Sequence, residues 1–496
     1  MTQMISPLHQ TAIDHPDAVA IVLPNGTAGT SQISYIELSQ MILLLAQQLS
    51  AQGVVKGHRI ASISHNNLEM ICLYWACIDL GTLFVPISPR FPAIQVSQLC
   101  QRFNINSYWL DQQVASAMEQ PLTQQLSAAK LTVNVNTQNN NQAPLRASPV
   151  DVRAAVNVIL TSGSTGTPKG VVHSLSNHIA SAKGSAVNIV LNEGDSWLLS
   201  LPLFHIGGLA IVNRCAIAAA TLIMSSSKPL TEQLTQTPIS HLSLVSAQLS
   251  QILNEDPDAL QHVKALLLGG GAIDADLVSS LEKLNINAFC SYGMSEMSSQ
   301  ITTAAINTQH HLGTALPQRQ LKLIDGVIWV KGPCLFLGYL SDESTSLKLE
   351  KTLDNDGWFC TQDQGRLDPQ GNLHLLGRVD NMFICGGENI HPEEIEAALR
   401  AHPDIAQAIV FPQHDAKFSL LPAAIIQFNT TGSGSGSGSG LSVETITEIE
   451  TTITTNIARF KRPRHYYAWP DNIESASLKT PRKQIIAAIK AQYNLD

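Results

Sequence analysis

Alternation between strand-like and helical segments is the feature that most restricts the fold of this chain. Apolar residues recur at helical spacing over Tyr35–Gly53 and Leu68–Leu80, while Arg59–Ser64 and Leu83–Ile87 are short apolar runs typical of buried strands. Further strand-like runs continue the pattern: Val156–Leu160, Trp197–Leu203 and Ala265–Leu268. Since strands that alternate with helices form parallel sheets covered by helices, we expect an α/β fold with layered β-sheets flanked by helices.

The pattern changes near Leu376, where a smaller α+β unit is predicted. A helix begins at Pro392, because proline followed by two glutamates is a typical helix start. The Gly-Ser tract Gly432–Gly440 cannot pack and must be a surface loop of unassigned role. The other predicted elements are strands at Ala406–Phe411 and Ala423–Phe428 and a helix at Ser442–Ala458. We expect two domains, a large N-terminal one over residues 1–379 and a small mobile C-terminal one over residues 380–496.

Charge and composition exclude several classes of partner. The 496 residues carry 30 Lys and Arg against 39 Asp and Glu, a net charge of −9. Because nucleic acids and anionic membranes select basic proteins, we expect neither as a partner. The apolar runs are too short or too interrupted to span a membrane. The sequence leaves the oligomeric state open, including a homo-oligomer.

Cysteine usage indicates a reducing compartment. The eight cysteines are scattered, and no pair has the CxxC spacing of a zinc site. The N-terminal residues lack a basic patch followed by an apolar stretch, so we expect no signal peptide. A cytoplasmic location fits these observations best.

The strongest chemical motif is the segment Thr161–Gly170, which reads TSGSTGTPKG directly after a strand-like run. Small hydroxyl and glycine residues leave backbone N–H groups free to wrap a polyphosphate, and Lys169 adds a point charge. The spacing differs from that of a Walker A loop. A plain Ser/Gly turn is the alternative, which the lysine at the end of the motif disfavours.

The segment resembles the phosphate loop of the adenylate-forming superfamily, which includes acyl-CoA synthetases, adenylation domains and luciferases. Other landmarks of that superfamily follow in the same order along nearly the whole chain: PLFH at 202–205, GGGA at 269–272, SYGMSE at 291–296, DGWFCTQD at 356–363, GRVD at 377–380, GGENI at 386–390 and KTPR at 479–482. The ordered set is specific to this superfamily.

The resemblance implies an ATP site. Tyr292 is expected against adenine, Asp363 at both ribose hydroxyls with help from Arg378, and Thr165 with Glu296 at Mg²⁺. Asp363 is expected in a turn after the strand-like run Trp358–Thr361, within TQDQG at 361–365 where the superfamily usually has TGDxG. Taken alone, Tyr292 would be a core residue, Arg378 a salt-bridge partner and Glu296 a loop acid. The expected ATP- and AMP-binding residues are Thr161, Ser162, Gly163, Ser164, Thr165, Gly166, Lys169, Gly270, Gly271, Ser291, Tyr292, Gly293, Asp363 and Arg378.

The resemblance also implies two half-reactions joined by a domain movement. Lys479 is the expected adenylation lysine, with Lys483 as the alternative because leucine precedes Lys479 where the superfamily usually has glycine. Asp380 is the expected hinge. CoA is the expected co-substrate, and its binding residues are Gly386 and Gly387.

Four stretches extend the resemblance beyond the motifs shared by the whole superfamily: SWLLSLPLFH at 196–205, GRVDNMF at 377–383, GGENI at 386–390 and the glycine-free LKTPR at 478–482. On these residues the chain is most similar to the o-succinylbenzoate–CoA ligases of menaquinone biosynthesis. Their substrate has two carboxylates, so the one that does not react requires a cation in an apolar pocket. Arg214, alone in GLAIVNRCAIAAATLI, stands at the position of their substrate-binding arginine. An internal Asp or Glu partner for Arg214 is the structural alternative. His205, Gly207 and Ser295 are the other expected acyl-site residues; His205 is also expected beside the CoA tunnel, with a packed core histidine as an equal alternative.

Three other functions share these motifs. The chain could activate another aryl or fatty acid, or it could load an acyl group onto a carrier protein instead of CoA. A non-catalytic binding protein is the third alternative, which the joint presence of Lys169, Glu296, Asp363 and Lys479 disfavours.

Overall fold

The computed structural model describes most of the chain and defines thirteen helices within that part. It describes residues 2–25, 29–135, 144–161, 168–269, 275–341, 347–385, 388–415, 419–429, 441, 443–454, 457, 461–470, 473 and 481–495. Numbered in chain order, the helices are α1 Pro7–Asp14, α2 Tyr35–Ala51, α3 Leu68–Leu80, α4 Ala93–Arg102, α5 Gln112–Gln125, α6 Leu175–Ser185, α7 Ile206–Ala218, α8 Leu230–Gln236, α9 Ser246–Glu255, α10 Ala275–Lys283, α11 Pro392–Arg400, α12 Val443–Thr454 and α13 Arg482–Tyr493.

The strands are numbered in the same way. They are β1 Gln3–Met4, β2 Val19–Asn25, β3 Gly29–Ser34, β4 Arg59–Ile63, β5 Leu83–Ile87, β6 Ser107–Leu110, β7 Ala129–Lys130, β8 Val150–Asp151, β9 Ala155–Thr161, β10 Lys169–Ser174, β11 Ser196–Leu199, β12 Thr221–Met224, β13 His241–Leu244, β14 Ala265–Leu268, β15 Ala288–Met294, β16 Ser299–Ala305, β17 Thr314–Ala315, β18 Gln320–Ile324, β19 Val327–Lys331, β20 Gly338–Leu340, β21 Leu349–Glu350, β22 Phe359–Leu367, β23 Leu373–Arg378, β24 Phe383–Cys385, β25 Glu388–Ile390, β26 Ile405–Asp415, β27 Ser419–Phe428 and β28 His465–Ala468. Short 3₁₀ turns occupy Pro257–Leu260 and Ser295–Met297.

Two large sheets form the body of the structure. Within the described residues, one sheet has the order β21-β20-β10-β9-β5-β4-β6-β7 and the other the order β17-β16-β15-β14-β13-β11-β12-β2-β3. Their central strands are parallel, and antiparallel strands lie at one or both edges. A four-stranded sheet, β18-β19-β22-β23, is formed by strands between Gln320 and Arg378. The expected α/β fold with layered sheets is therefore confirmed.

A helical layer lies between the two large sheets and carries the main core. Leu45 of α2, Trp75 of α3 and Ile211 of α7 are buried in one cluster with Ile60 and Leu222 of the sheets. Helix α3 is buried on nearly every side, which explains its continuous apolar sequence. Among the described helices, none is long and apolar enough to cross a lipid bilayer.

The chain after β23 builds its own sheet, β26-β27-β28, within the described residues. Ile395 of α11 and Ile453 of α12 pack on one face, and Ile485 of α13 packs on the other. Pro392 begins α11 as predicted. A domain boundary at residue 380 stays a prediction, and Gly432–Gly440 lies outside the described residues.

One predicted strand is too long. The run Trp197–Leu203 overlaps β11, which begins at Ser196 and ends at Leu199. Pro202 cannot donate a backbone hydrogen bond to a sheet, and its carbonyl instead accepts from the His205 N–H at 3.1 Å in a turn before α7.

Candidate active site

The predicted phosphate loop connects two neighbouring antiparallel strands. Thr161 is the last residue of β9, Lys169 is the first residue of β10, and the two are paired across the hairpin. Both residues therefore flank the loop, as the motif requires. The expected loop residues Ser162, Gly163, Ser164, Thr165 and Gly166 lie outside the described residues.

A tyrosine links Lys169 to Glu296. The Lys169 amine lies 5.0 Å from the centre of the Tyr339 ring, and the Tyr339 hydroxyl donates to Glu296 Oε1 at 2.8 Å. Glu296 is only 8% exposed and lies in the 3₁₀ turn after β15. Burial, followed by the charge of Glu296, raises the pKa of Tyr339. The structure thus places the expected phosphate lysine and the expected Mg²⁺ ligand at one site.

The expected base and ribose residues form a second hydrogen-bonded group. The Tyr292 hydroxyl donates to Asp363 Oδ2 at 2.6 Å, and Arg378 Nη1 donates to Asp363 Oδ1 at 3.1 Å. Arg378 Nε also donates to Asp380 Oδ1 at 2.8 Å. Burial raises the pKa of Asp363, although the Tyr292 hydroxyl and Arg378 lower it; the Glu296 charge is a smaller raising cause. Asp363, the acid expected at the ribose, therefore lies within electrostatic range of Glu296, the acid expected at Mg²⁺.

Asp363 lies within a strand and not in the turn that the sequence predicts. Strand β22 continues through it, because β23 pairs with β22 as far as Asp363 opposite Arg378. Gln362 has a φ of 63°, a left-handed conformation that favours glycine. This angle explains why the superfamily usually has glycine where this chain has Gln362.

Of the glycines in the expected nucleotide motifs, Gly293 lies within β15 and Gly269 directly follows β14. A Cβ on Gly293 would approach the Ser299 carbonyl oxygen to 2.1 Å, so only glycine fits there. Gly269 follows β14, and a Cβ on it would lie 3.7 Å from Ser291 Oγ of the neighbouring strand. Gly270 and Gly271 lie outside the described residues.

Three of the expected acyl residues, His205, Gly207 and Arg214, belong to the start and middle of α7, and Ser295 begins the 3₁₀ turn after β15. His205 is the N-cap residue of α7, and its half-buried ring packs edge-on against Phe204 at 4.9 Å. A Cβ on Gly207 would lie 3.0 Å from Leu201 Cδ1. The Ser295 carbonyl accepts from His173 Nε2 at 2.6 Å.

Arg214 is buried without a counter-charge among the described residues. It is 5% exposed, and its guanidinium lies 5.2 Å from the centre of the Trp197 ring. Nη2 donates to Gln300 Oε1 at 2.8 Å and to Ser299 Oγ at 3.3 Å, while Nε has no partner. Burial lowers the pKa of Arg214 to about 10, with a smaller contribution from Arg319. The internal Asp or Glu that the structural alternative requires is absent from the described part of the chain.

The C-terminal site residues are described only in part. Lys479, Gly386 and Gly387 lie outside the described residues. Arg482 begins α13 and binds Glu396 of α11, so the segment after Lys479 is attached to the small sheet. Lys483, the alternative lysine, is exposed in the first turn of α13.

Sequence reasoning missed several site residues. Tyr339 lies outside every motif and reaches the site because β20 pairs with β10. Gln300 and Trp197 were missed as partners of Arg214 because their contacts join distant parts of the chain. His173 could have been found, since it follows the phosphate motif within a strand.

Comparisons with known proteins identify the family of the chain. The AMP-binding enzyme family matches residues 8–340, and the C-terminal domain of AMP-binding enzymes matches residues 394–478. The 2-succinylbenzoate–CoA ligase of Haemophilus influenzae is 32% identical over 475 residues, covering 95% of each chain.

Solved structures of o-succinylbenzoate CoA synthetases are similar to this chain over nearly its whole length. The o-succinylbenzoate CoA synthetase of Bacillus subtilis in complex with the acyl-adenylate intermediate OSB-AMP has a TM-score of 0.83 at 26% identity, covering 98% of each chain. The same synthetase with ATP and magnesium ion has a TM-score of 0.82 at 26% identity, covering 98% of this chain and 100% of that one. The chain therefore belongs to the AMP-binding enzyme family.

Proposed function

We propose that this chain is an ATP-dependent acid–CoA ligase that converts 2-succinylbenzoate, ATP and CoA to 2-succinylbenzoyl-CoA, AMP and diphosphate in menaquinone biosynthesis. The observation that carries the proposal is the buried Arg214, held by neutral groups beside an AMP-binding site. A buried cation without a carboxylate partner is costly, and a substrate carboxylate would offset that cost. The ligases that the chain resembles act on such an acid.

The nucleotide would lie across the two hydrogen-bonded groups. Asp363 accepts hydrogen bonds from both ribose hydroxyls and is held in position by Tyr292 and Arg378. Tyr292 contacts the adenine, and Lys169 with the loop after Thr161 binds the β- and γ-phosphates.

The chemistry of the site fits Mg²⁺ that arrives with ATP. No group of three or more His, Cys, Asp or Glu side chains in the described residues could hold a metal ion alone. Mg²⁺ usually takes one or two protein oxygens and completes its shell with phosphates and water. Glu296 and Thr165 would hold the ion, which neutralises phosphate charge when bound.

The reaction has two steps. In the first, a substrate carboxylate oxygen bonds to the α-phosphorus and diphosphate leaves, while Lys479 stabilises the charge that moves onto the leaving oxygens. In the second, the small domain turns about Asp380 and brings Gly386 and Gly387 to the pantetheine.

The thiol sulfur of CoA then bonds to the acyl carbon, AMP leaves, and the thiol proton passes to solvent. We place the arriving thiol beside His205, the N-cap residue of α7. All eight cysteines lie within the described residues and none of them forms a disulfide there, which supports the proposed cytoplasmic location.

A substrate panel tests the proposal. Diphosphate release is measured with 2-succinylbenzoate, simple benzoates and fatty acids, each with CoA or with a carrier protein as acceptor. Lys479→Ala is the control variant, in which we expect no adenylate formation. Lys483→Ala is the matched variant, which removes the alternative lysine. We expect release only with 2-succinylbenzoate and thioester formation with free CoA. Preference for another acid, or a requirement for a carrier protein, contradicts the proposal.

A further inference from the structure

Gln300 joins two buried arginines. Its side-chain Oε1 accepts from Arg214 Nη2 at 2.8 Å, and its backbone carbonyl accepts from Arg319 Nε at 2.7 Å. Arg319 is 6% exposed, and its remaining hydrogen bonds go to the backbone carbonyls of Pro317 and Ser181. Neither arginine forms an ion pair with a carboxylate in the part of the chain that is described. The pocket wall therefore holds two adjacent positive charges without compensation.

The Gln300 amide has a fixed orientation. Its Nε2 donates to Thr303 Oγ1 at 2.8 Å, and the Thr303 hydroxyl proton goes to the Thr302 carbonyl at 2.8 Å. Since Thr303 acts as the acceptor, the nitrogen end of the amide must face it and the oxygen end must face Arg214. Gln300 is only 2% exposed, so water does not compete for the hydrogen bonds of its amide.

The backbone before Gln300 is strained in a way that supports the same contact. Ser298 has a φ of 52° and Ser299 a φ of 120°, backbone angles that residues other than glycine rarely adopt. Ser298 is held by hydrogen bonds from Ser181 Oγ to its carbonyl and from its own hydroxyl to the Cys334 carbonyl. The turn directs Ser299 Oγ to Arg214 at 3.3 Å. Arg214 is thus oriented by two neutral acceptors.

We propose that Gln300 determines the acid specificity of the acyl pocket, because it orients the Arg214 guanidinium without cancelling its charge and so leaves that charge for a second substrate carboxylate. This inference rests on the proposed function and names the residue that enforces its substrate class. Glutamate at position 300 has nearly the same shape but would form an ion pair with Arg214. The exchange of the amide nitrogen for a carboxylate oxygen at position 300 thus decides whether the pocket attracts a dianionic acid.

The test compares Gln300→Glu with Gln300→Met in the full-length enzyme. KM is measured for 2-succinylbenzoate, for ATP and for two analogues that each lack one carboxylate, 4-oxo-4-phenylbutanoate and 2-butanoylbenzoate. For Gln300→Glu we expect KM for 2-succinylbenzoate to rise about 10- to 100-fold, the range of a lost charged hydrogen bond. KM for ATP should stay within about twofold, since the nucleotide residues are not altered.

Gln300→Met separates charge from packing. It removes the acceptor that orients Arg214 but leaves Arg214 charged, so the preference for the dicarboxylate over both analogues should fall less than in Gln300→Glu and should persist. Loss of that preference in Gln300→Met overturns the inference, and this holds even if Gln300→Glu does not fold. An unchanged KM for 2-succinylbenzoate in Gln300→Glu, or an equal rise for ATP, also overturns it. If the wild-type enzyme does not use 2-succinylbenzoate, the proposed function itself is wrong.

Discussion

A chain of three buried side chains supports the turn that carries Glu296. His178 Nε2 donates to Asn157 Oδ1 at 2.6 Å, Asn157 Nδ2 donates to His173 Nδ1 at 3.1 Å, and His173 Nε2 donates to the Ser295 carbonyl at 2.6 Å. Because the Ser295 carbonyl can only accept, His173 Nε2 carries a proton. The Asn157 amide nitrogen faces His173 Nδ1, which can accept only in the neutral ring, so protonation of His173 would break the bond from Asn157.

We predict that acid destabilises the protein through this chain. Burial lowers the pKa of His173 to about 4 from its ordinary 6.5, although the Ser295 carbonyl raises it. Between these values the unfolded chain binds more protons than the folded one, so the free energy of unfolding falls as the pH falls. A difference of about 2.5 pKa units corresponds to about 3 kcal/mol, lost between pH ~6.5 and ~4. Burial also lowers the pKa of His178, which acts in the same direction.

Urea unfolding from pH 4.5 to pH 8 measures this effect in the wild type and in His173→Gln. Glutamine can still donate to the Ser295 carbonyl but has no proton to gain. The slope of the free energy of unfolding against pH should therefore correspond to about one proton less in His173→Gln than in the wild type. His262, an exposed residue, provides the matched surface replacement His262→Gln. A wild-type stability that does not change between pH 7 and pH 5, or an equal slope in His173→Gln, refutes the reasoning.

Two further predictions concern the ribose site. Asp363→Asn should weaken ATP binding about 10- to 100-fold by calorimetry, because a charged acceptor is lost, and an unchanged affinity would place the ribose elsewhere. Gln362→Gly should raise the free energy of unfolding by about 0.5 kcal/mol, since the left-handed conformation costs a side chain about 1 to 2 kcal/mol and the extra chain entropy of glycine offsets part of this. A urea midpoint below that of the wild type would contradict this second prediction.

Local sequence patterns predicted the elements whose causes are local. Helix α3 and strand β5 have the predicted bounds, because an Asn67 cap and a left-handed Gly81 mark the helix ends. Asp363 was placed in a turn, since β22 continues only through pairing with a strand later in the chain.

The site was predicted as far as its motifs extend. Thr161 with Lys169, and Tyr292 with Asp363, lie together as expected. The sequence could not predict that neutral groups hold Arg214, because this depends on burial and on hydrogen bonds between distant parts of the chain. The roles of the phosphate loop and of Lys479 stay predictions.

The most direct test of the account is the effect of Arg214→Ala on the two substrates. Calorimetry measures the affinities of 2-succinylbenzoate and of ATP, with Arg214→Met as a variant that keeps more of the side-chain volume. We predict that both variants bind 2-succinylbenzoate about 100-fold more weakly, because a charged hydrogen bond inside a buried pocket is lost, while ATP affinity stays within about threefold. Equal losses for both ligands, or no loss for 2-succinylbenzoate, would contradict the account.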